Sequence, residues 1–375
     1  MQTIGLAGGY SQGGGHSPLS SLYGLGADQV MSLEVVLPDG TFQTVNEEHN
    51  PDLYWAMRGG GGSTFGVVTS AIIAAYPRHP VATLAYSMTN RSPNTTEAFW
   101  AGIRAFYEML VPNADAGQYL IFRLTCNLPA EPWNCTNALI PHWANNRTVP
   151  EFQAYMAPFF AKLAALGVPV VRPVWTQFPS VWAAWNATFS DLQPSGSASG
   201  TTHTASRIFP RGNFADPARF NTTFAAIRQT IEAGNGRMQA FALKAAPNAR
   251  VSQANAAHPA WRDTVLFAMM ANAWGTETAT VETVVTKCKQ LVERLQPWRD
   301  VTPGAGSYLN EGDLNEPAFQ QAFYGGNYER LYNIKQRYDP TGAFYAATAV
   351  GSEDWEVEGQ IPFYPTTNGR LCRKK

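Results

Sequence analysis

Gly8-Gly9-Tyr10-Ser11-Gln12-Gly13-Gly14-Gly15-His16-Ser17 sets five glycines in ten residues and runs on into Tyr23-Gly24-Leu25-Gly26-Ala27-Asp28. A second cluster follows, Arg58-Gly59-Gly60-Gly61-Gly62-Ser63-Thr64-Phe65-Gly66-Val67-Val68. Glycine lacks a Cβ, so a ligand can approach the backbone closely and positive φ is accessible. Successive free N–H groups in such a loop form a concave anion site. Flexible linkers are Gly/Ser-rich and polar. These segments are instead threaded with Tyr, Leu, Phe and Val, and each borders a strand-like run. The pair points to a large phosphorylated cofactor rather than to two loose turns.

Other phosphate and hydrolase motifs are excluded by inspection. Gly61 and Gly66 have P-loop spacing, but Val67 stands where that motif needs lysine. Neither segment is a G-x-G-x-x-G opening a helix after a strand, and no G-x-S-x-G elbow exists. The histidines, His16, His49, His79, His142, His203 and His258, show no metal-ligand spacing, so no metal is expected. The 375 residues are 45% hydrophobic and 12% aromatic, enough for a large core and roughly two domains. A net charge of −1 gives no basic footprint for nucleic acid. No apolar run reaches the roughly 18 residues of a membrane span.

Strands are read at residues 30–37, 42–45 and 67–75, with a helix starting at Asn50-Pro51-Asp52, which makes a compact α+β unit. Further on, helices are read at 95–110, 150–166, 216–233, 278–296 and 329–338. Strands are read at 120–124, 239–244 and 265–274. The order suggests a mixed sheet with helices on one face. Residues 195–200 read as a small-residue loop. Cys126 and Cys135 either close a short loop in an oxidising compartment or stand as two buried thiols. Sequons at Asn90, Asn94, Asn134, Asn146, Asn186 and Asn221 favour secretion, yet Met1-Gln2-Thr3-Ile4-Gly5 shows no leader.

The segment from Gly5 to Val30, the stretch Leu53-Tyr54-Trp55-Ala56-Met57-Arg58-Gly59-Gly60-Gly61-Gly62-Ser63-Thr64-Phe65-Gly66-Val67-Val68-Thr69, and Tyr324-Gly325-Gly326-Asn327-Tyr328 with Lys335 and Tyr338-Asp339-Pro340 closely resemble the berberine-bridge-enzyme-like oxidases, fungal branch, of the vanillyl-alcohol-oxidase (VAO, PCMH-type) flavoprotein superfamily. The resemblance implies an α+β fold. Residues 1–80 would be part of a PCMH-type FAD-binding domain, and 81–320 a substrate domain with an antiparallel sheet backed by helices. Residues 321–375 would return to the FAD domain. FAD would be held by Gly8, Gly9, Tyr10, Gly13, Gly14, Gly15, His16, Ser17, Tyr23, Gly24 and Asp28, with Gly66, Val67 and Val68 at the adenine end and Asn327 from the C-terminal helix. Hydride would pass from a small-molecule alcohol, sugar or amine to the flavin, and O2 would be the electron acceptor.

The family's Arg-Ser/Thr-Gly-Gly-His loop, whose His anchors the flavin covalently, has no counterpart here, and His16 is not that anchor. Met1 falls where a second anchor, a Cys, would stand. On that reading the chain begins inside a domain, so exposed apolar surface, low stability and weak FAD binding are expected. Ser307-Tyr308-Leu309-Asn310-Glu311 resembles the family's Tyr-x-Asn strand facing the cofactor. On a strand Tyr308 and Asn310 share a face, and Tyr308 is the first candidate for proton acceptor. Its phenol, with a reference pKa of about 10, needs local lowering to act as a base. Arg207, Gln239 and a Trp261/Trp274 sugar platform are weaker candidates. The rival reading is a catalytically silent binding protein that kept the substrate domain and lost the flavin.

Overall fold

Alternating burial along β1 (Val30–Val36) places Val30, Leu33 and Val35 inward. The chain turns at Asp39-Gly40, where Gly40 has φ +82° and the Asp39 carboxylate accepts from Thr41 N at 2.9 Å. It returns as β2 (Phe42–Val45). The helix Pro51–Ala56 starts with proline in its first turn, as its sequence demands, and buries Leu53, Tyr54, Trp55 and Ala56. β3 (Val67–Ile73) then pairs antiparallel on the other side of β1, giving the order β2-β1-β3. Leu6, Met31, Phe42, Val67, Ile72 and Ile73, all in or near this small sheet, are exposed. The computed structural model describes residues 5–62, 64–127, 134–189, 202–233, 236–246, 254–274, 279–364 and 368–375. The loop at 195–200 lies outside them.

The large sheet comprises β4 (Val81–Asn90), β5 (Tyr119–Asn127), β6 (Asn134–Asn145), β7 (Val170–Phe178), β8 (Thr202–Pro210), β9 (Arg237–Ala242) and β10 (Thr264–Ala273). Its order is β7-β4-β6-β5-β9-β10-β8. Every neighbouring pair is antiparallel, which corrects the mixed sheet read from element order. Cys126 and Cys135 are disulfide-bonded across the β5–β6 hairpin.

Helices Thr96–Glu108, Val149–Ala165, Pro217–Glu232 and Val281–Arg294 cover one face. Trp100, Phe106, Phe152, Phe159, Ile227 and Leu291 pack there against Leu84, Phe122, Leu124 and Met238. Three of these helices carry side-chain N-caps, from Thr148, Asp216 and Thr280, each of a kind that contributes about 1 kcal/mol. The opposite face carries Leu25, Tyr119, Trp143, Ile208, Phe241, Trp261, Phe267 and Tyr308, and receives the first glycine segment.

Asp28 fastens that segment down. Its fully buried carboxylate accepts two hydrogen bonds from Arg262, at 2.6 and 2.7 Å, one from Asn255 at 2.6 Å and one from Leu25 N at 2.8 Å. A second clamp is Lys335, on the helix Tyr328–Tyr338, whose ammonium donates to Thr64 O (2.6 Å), Asp339 (2.6 Å) and Phe344 O (2.7 Å). Removing one partner of such a buried ion pair leaves an uncompensated charge. Arg262→Ala is therefore expected to lower unfolding stability by about 3–5 kcal/mol in denaturant melts. A loss below about 1 kcal/mol, the value of a surface pair, would show that Asp28 does not anchor the segment.

Candidate functional site

The two glycine segments touch. Gly59 N and Gly61 N both donate to Gln12 O, at 2.8 and 2.9 Å. The first segment also meets residues 308–311. Gly15 N donates to Tyr308 Oη at 3.1 Å, and Asn310 Nδ2 donates to Gly9 O at 3.0 Å. Glycine is required at two of these positions for different reasons. A Cβ on Gly13 would lie 2.0 Å from Asn310 Oδ1, and Gly15 has φ +76°.

His16 leaves this turn and packs into an aromatic cluster on the sheet face opposite the helices. Ring centroids lie 4.7 Å away for Phe241, 5.5 Å for Phe267 and Tyr308, and 6.1 Å for Trp261. His16 Nδ1 is 3.1 Å from Tyr119 Oη, and Nε2 is 3.7 Å from Glu311 Oε2. Two expectations change here. Residues 308–311 are not a strand; Leu309–Glu311 forms a short 3-10 helix. Tyr308 and Asn310 still meet, because Asn310 Nδ2 donates to Tyr308 Oη at 2.7 Å. The tight turn also swings Glu311 to the side of Tyr308, since residues i and i+3 eclipse in that geometry. Read as a strand, the same segment puts Glu311 on the far face, which is why sequence reasoning passed it over.

The second change concerns the proton acceptor. Burial, helped by the nearby Glu311 carboxylate, pushes the Tyr308 phenol well above its ordinary range. Tyr119 moves the same way for the same reasons, and burial pushes Tyr10 up to about 12. Tyr308 is thus a neutral hydrogen-bonding group here and not a ready base. Glu311 presents the carboxylate in this corner, and its buried Oε2 accepts no hydrogen bond among the described residues.

Several predicted cofactor contacts are committed to the fold. All the Asp28 bonds above are internal, and Gly24 packs against Asp28 and Ala246 O. Tyr23 stacks on Tyr76 with centroids 3.7 Å apart. Asn327 Nδ2 donates to Ala256 O and Ala257 O, at 3.3 and 3.1 Å. Gly66, Val67 and Val68 sit at the head of β3, an edge strand of the small sheet. Arg207 is buried on Thr302, and Gln239 accepts from Arg123. Trp261 is part of the aromatic cluster, while Trp274 lies beyond the other end of β10, roughly 30 Å along at strand rise, so the two form no platform.

The residues of the site fit FAD. Gly8 and Gly9 are exposed, and a Cβ on either would meet nothing within 4 Å, so a strip of bare backbone stays open to a phosphate chain. Gln12 Oε1 and Glu311 Oε2 are buried acceptors without a hydrogen-bond partner among the described residues. Tyr10, Gly13, Gly14, Gly15, His16 and Ser17 continue from that strip toward the aromatic wall.

A glycine-lined segment laid over the open face of a helix-backed antiparallel sheet is the architecture of VAO-type flavoproteins. The solved structure of the VAO-type flavoprotein MtVAO615 from Myceliophthora thermophila C1 superposes with a TM-score of 0.83 at 30% identity, covering 99% of this chain and 64% of that one. MtVAO713 from the same organism gives 0.82 at 25% identity, with the same coverage. The sequence matches support a berberine-bridge-like assignment within this superfamily. Residues 307–351 match the family model described as "Berberine and berberine like". The FAD-linked oxidoreductase ZEB1 of Gibberella zeae is 32% identical over 374 residues, 99% of this chain and 61% of ZEB1. The VAO-type flavoprotein oxidase VAO615 of Thermothelomyces thermophilus is 35% identical over 377 residues, again 99% of this chain and 61% of the relative. The chain therefore spans about three-fifths of the length of the curated relatives it matches.

The raised Tyr308 pKa has a measurable sign. A phenol held neutral in the fold above the unfolded value of about 10 contributes nothing to a native titration between pH 9 and 11. Tyr308→Phe should leave the 295 nm absorbance rise over that interval unchanged. Loss of one tyrosine equivalent would mean that Tyr308 ionises in the folded protein.

Proposed function

We propose that this chain supplies the substrate side and part of the cofactor side of an FAD-dependent oxidoreductase acting on a small-molecule alcohol, sugar or amine. The observation that carries the reading is the open Gly8–Gly9 backbone strip leading to the aromatic cluster. Its relatives' names, FAD-linked oxidoreductase and flavoprotein oxidase, point the same way. FAD supplies a hydride acceptor when bound, with O2 as terminal electron acceptor and hydrogen peroxide as product.

This chain's own residues would do the rest. Phe241, Trp261 and Phe267, packed around His16, keep water away from the corner beside Tyr308. Tyr308, fixed by Gly15 N and Asn310, offers its O–H to orient a substrate oxygen or nitrogen. Glu311 Oε2, beside His16, accepts the proton that leaves that oxygen or nitrogen as the C–H bond breaks. General-base catalysis of this kind contributes about 10²–10⁴-fold.

The test uses the protein loaded with FAD. It should show flavin absorbance and be bleached anaerobically by one member of an alcohol, sugar, phenol and amine panel. Glu311→Gln should then slow bleaching by about 10²–10⁴-fold at unchanged flavin content. An equal rate in the variant rejects Glu311 as proton acceptor. Bound flavin that no member of the panel bleaches rejects the oxidoreductase reading itself.

A further inference from the structure

Six sequons lie between residues 90 and 223, and the fold separates them into two classes. Asn94, Asn134, Asn146, Asn186 and Asn221 are exposed. Asn94 sits in the turn before the helix Thr96–Glu108, and Asn134 opens β6. Asn146 occupies the turn after β6 at φ +57°, a conformation asparagine tolerates better than most residues. Asn186 lies on the helix Val181–Phe189 and Asn221 on the helix Pro217–Glu232. Asn221 is held through its oxygen, which accepts from Arg104 Nη2 at 2.7 Å, so its amide nitrogen can be substituted without breaking that bond.

Asn90 differs. It is 3% exposed at the end of β4, opposite Cys135 of β6. Its Oδ1 accepts from Ser92 N at 3.2 Å and from the Thr95 hydroxyl, and its Nδ2 is buried. A sugar on that nitrogen has nowhere to go in this fold.

An independent observation names the compartment. The Cys126–Cys135 disulfide closes the hairpin that carries Asn134, and such bonds persist in oxidising compartments and are rare in the cytosol. Only 15% of residues are charged, against roughly 25% in average proteins, so the surface has few ionic groups to hold water. Glycans would supply that hydration.

We propose that this chain matures in a secretory compartment with N-linked glycans on Asn94, Asn134, Asn146, Asn186 and Asn221, and with Asn90 bare. In the transfer, the asparagine Nδ2 attacks the anomeric carbon of an oligosaccharide carried on a polyprenyl pyrophosphate. The C–O bond to pyrophosphate breaks, the N-glycosidic C–N bond forms, and Nδ2 loses one proton. The lipid pyrophosphate leaves, and nothing is oxidised or reduced.

The experiment places the full chain behind a cleavable leader, in rough microsomes and in a secreting eukaryotic host. Leader cleavage reports entry into the lumen. In microsomes, glycosidase-sensitive gel steps are expected, and Asn→Gln at each of the five exposed positions should remove one. Peptide-N-glycosidase in H₂¹⁸O, applied to the secreted fraction with the Cys126–Cys135 bond intact, should label those five asparagines and leave Asn90 unlabelled. A leader-cleaved product without any glycosidase-sensitive step overturns the proposal. Label at Asn90 in the secreted, disulfide-bonded fraction overturns it as well. Both readouts are independent of flavin binding and oxidation.

Discussion

A buried carboxylate holds the site together. Asp28 closes the glycine-rich segment, and it is joined to Arg262 and Asn255, more than 220 residues away in sequence. A fully buried charge is tolerable only when paired and hydrogen-bonded. The four bonds to Asp28 oxygens satisfy it only while the segment lies on the sheet. The carboxylate therefore acts as a latch with one correct partner set, and it forces the loop from Gly8 to Ser17 to face the cluster of Phe241, Trp261 and Phe267. Lys335 does the same for the second glycine segment, gathering Thr64, Asp339 and Phe344 around one buried ammonium.

Once the segment is latched, a short turn shapes the corner beside it. The 3-10 geometry at Leu309–Glu311 brings a phenol and a carboxylate side by side, with Asn310 bonding back to both Tyr308 and the glycine loop. Loop 307–316 is itself clamped from behind. His203 pairs with Asp313, and Arg299 makes two bonds to Glu316, at 2.9 and 2.8 Å. The groups that would meet a substrate thus sit on a loop whose two ends are tied to the sheet and to the helices behind it. His258, buried between that loop and the C-terminal helix, is pushed down to about 4 by burial and stays neutral. Its Nδ1 accepts from Ala260 N, and its Nε2 faces Gln321 O, 3.1 Å away.

Much of this was legible in the residues. The first α+β unit was read almost element by element, because Asp39-Gly40 and Asn50-Pro51 are local signals that act within a few residues. The four helices backing the sheet were legible from apolar periodicity. Strands β4, β6, β7 and β8 were not. β6 and β7 carry Pro141 and Pro173, and β8 opens with Thr202-His203-Thr204, so strand propensity was masked by residues that the sheet tolerates only in context. The glycine loop pointed to a cofactor, but sorting which of its members are free to meet one needed the fold. Asp28 and Asn327 stand in the right motifs yet bond to the protein, while Glu311 came into view only when its strand proved to be a turn. Tyr119, Phe241 and Phe267 carried no motif at all, since they become a cluster only when separate strands are laid side by side.

The central claim is that residues 8–17, latched by Asp28, form one ligand surface with Tyr308, Asn310 and Glu311. Amide hydrogen exchange read by mass spectrometry, with and without saturating FAD, tests it without requiring turnover. Slowed exchange confined to peptides covering 5–28 and 307–316 is the expected result. Unchanged exchange in both segments, or protection appearing only elsewhere in the chain, would contradict it.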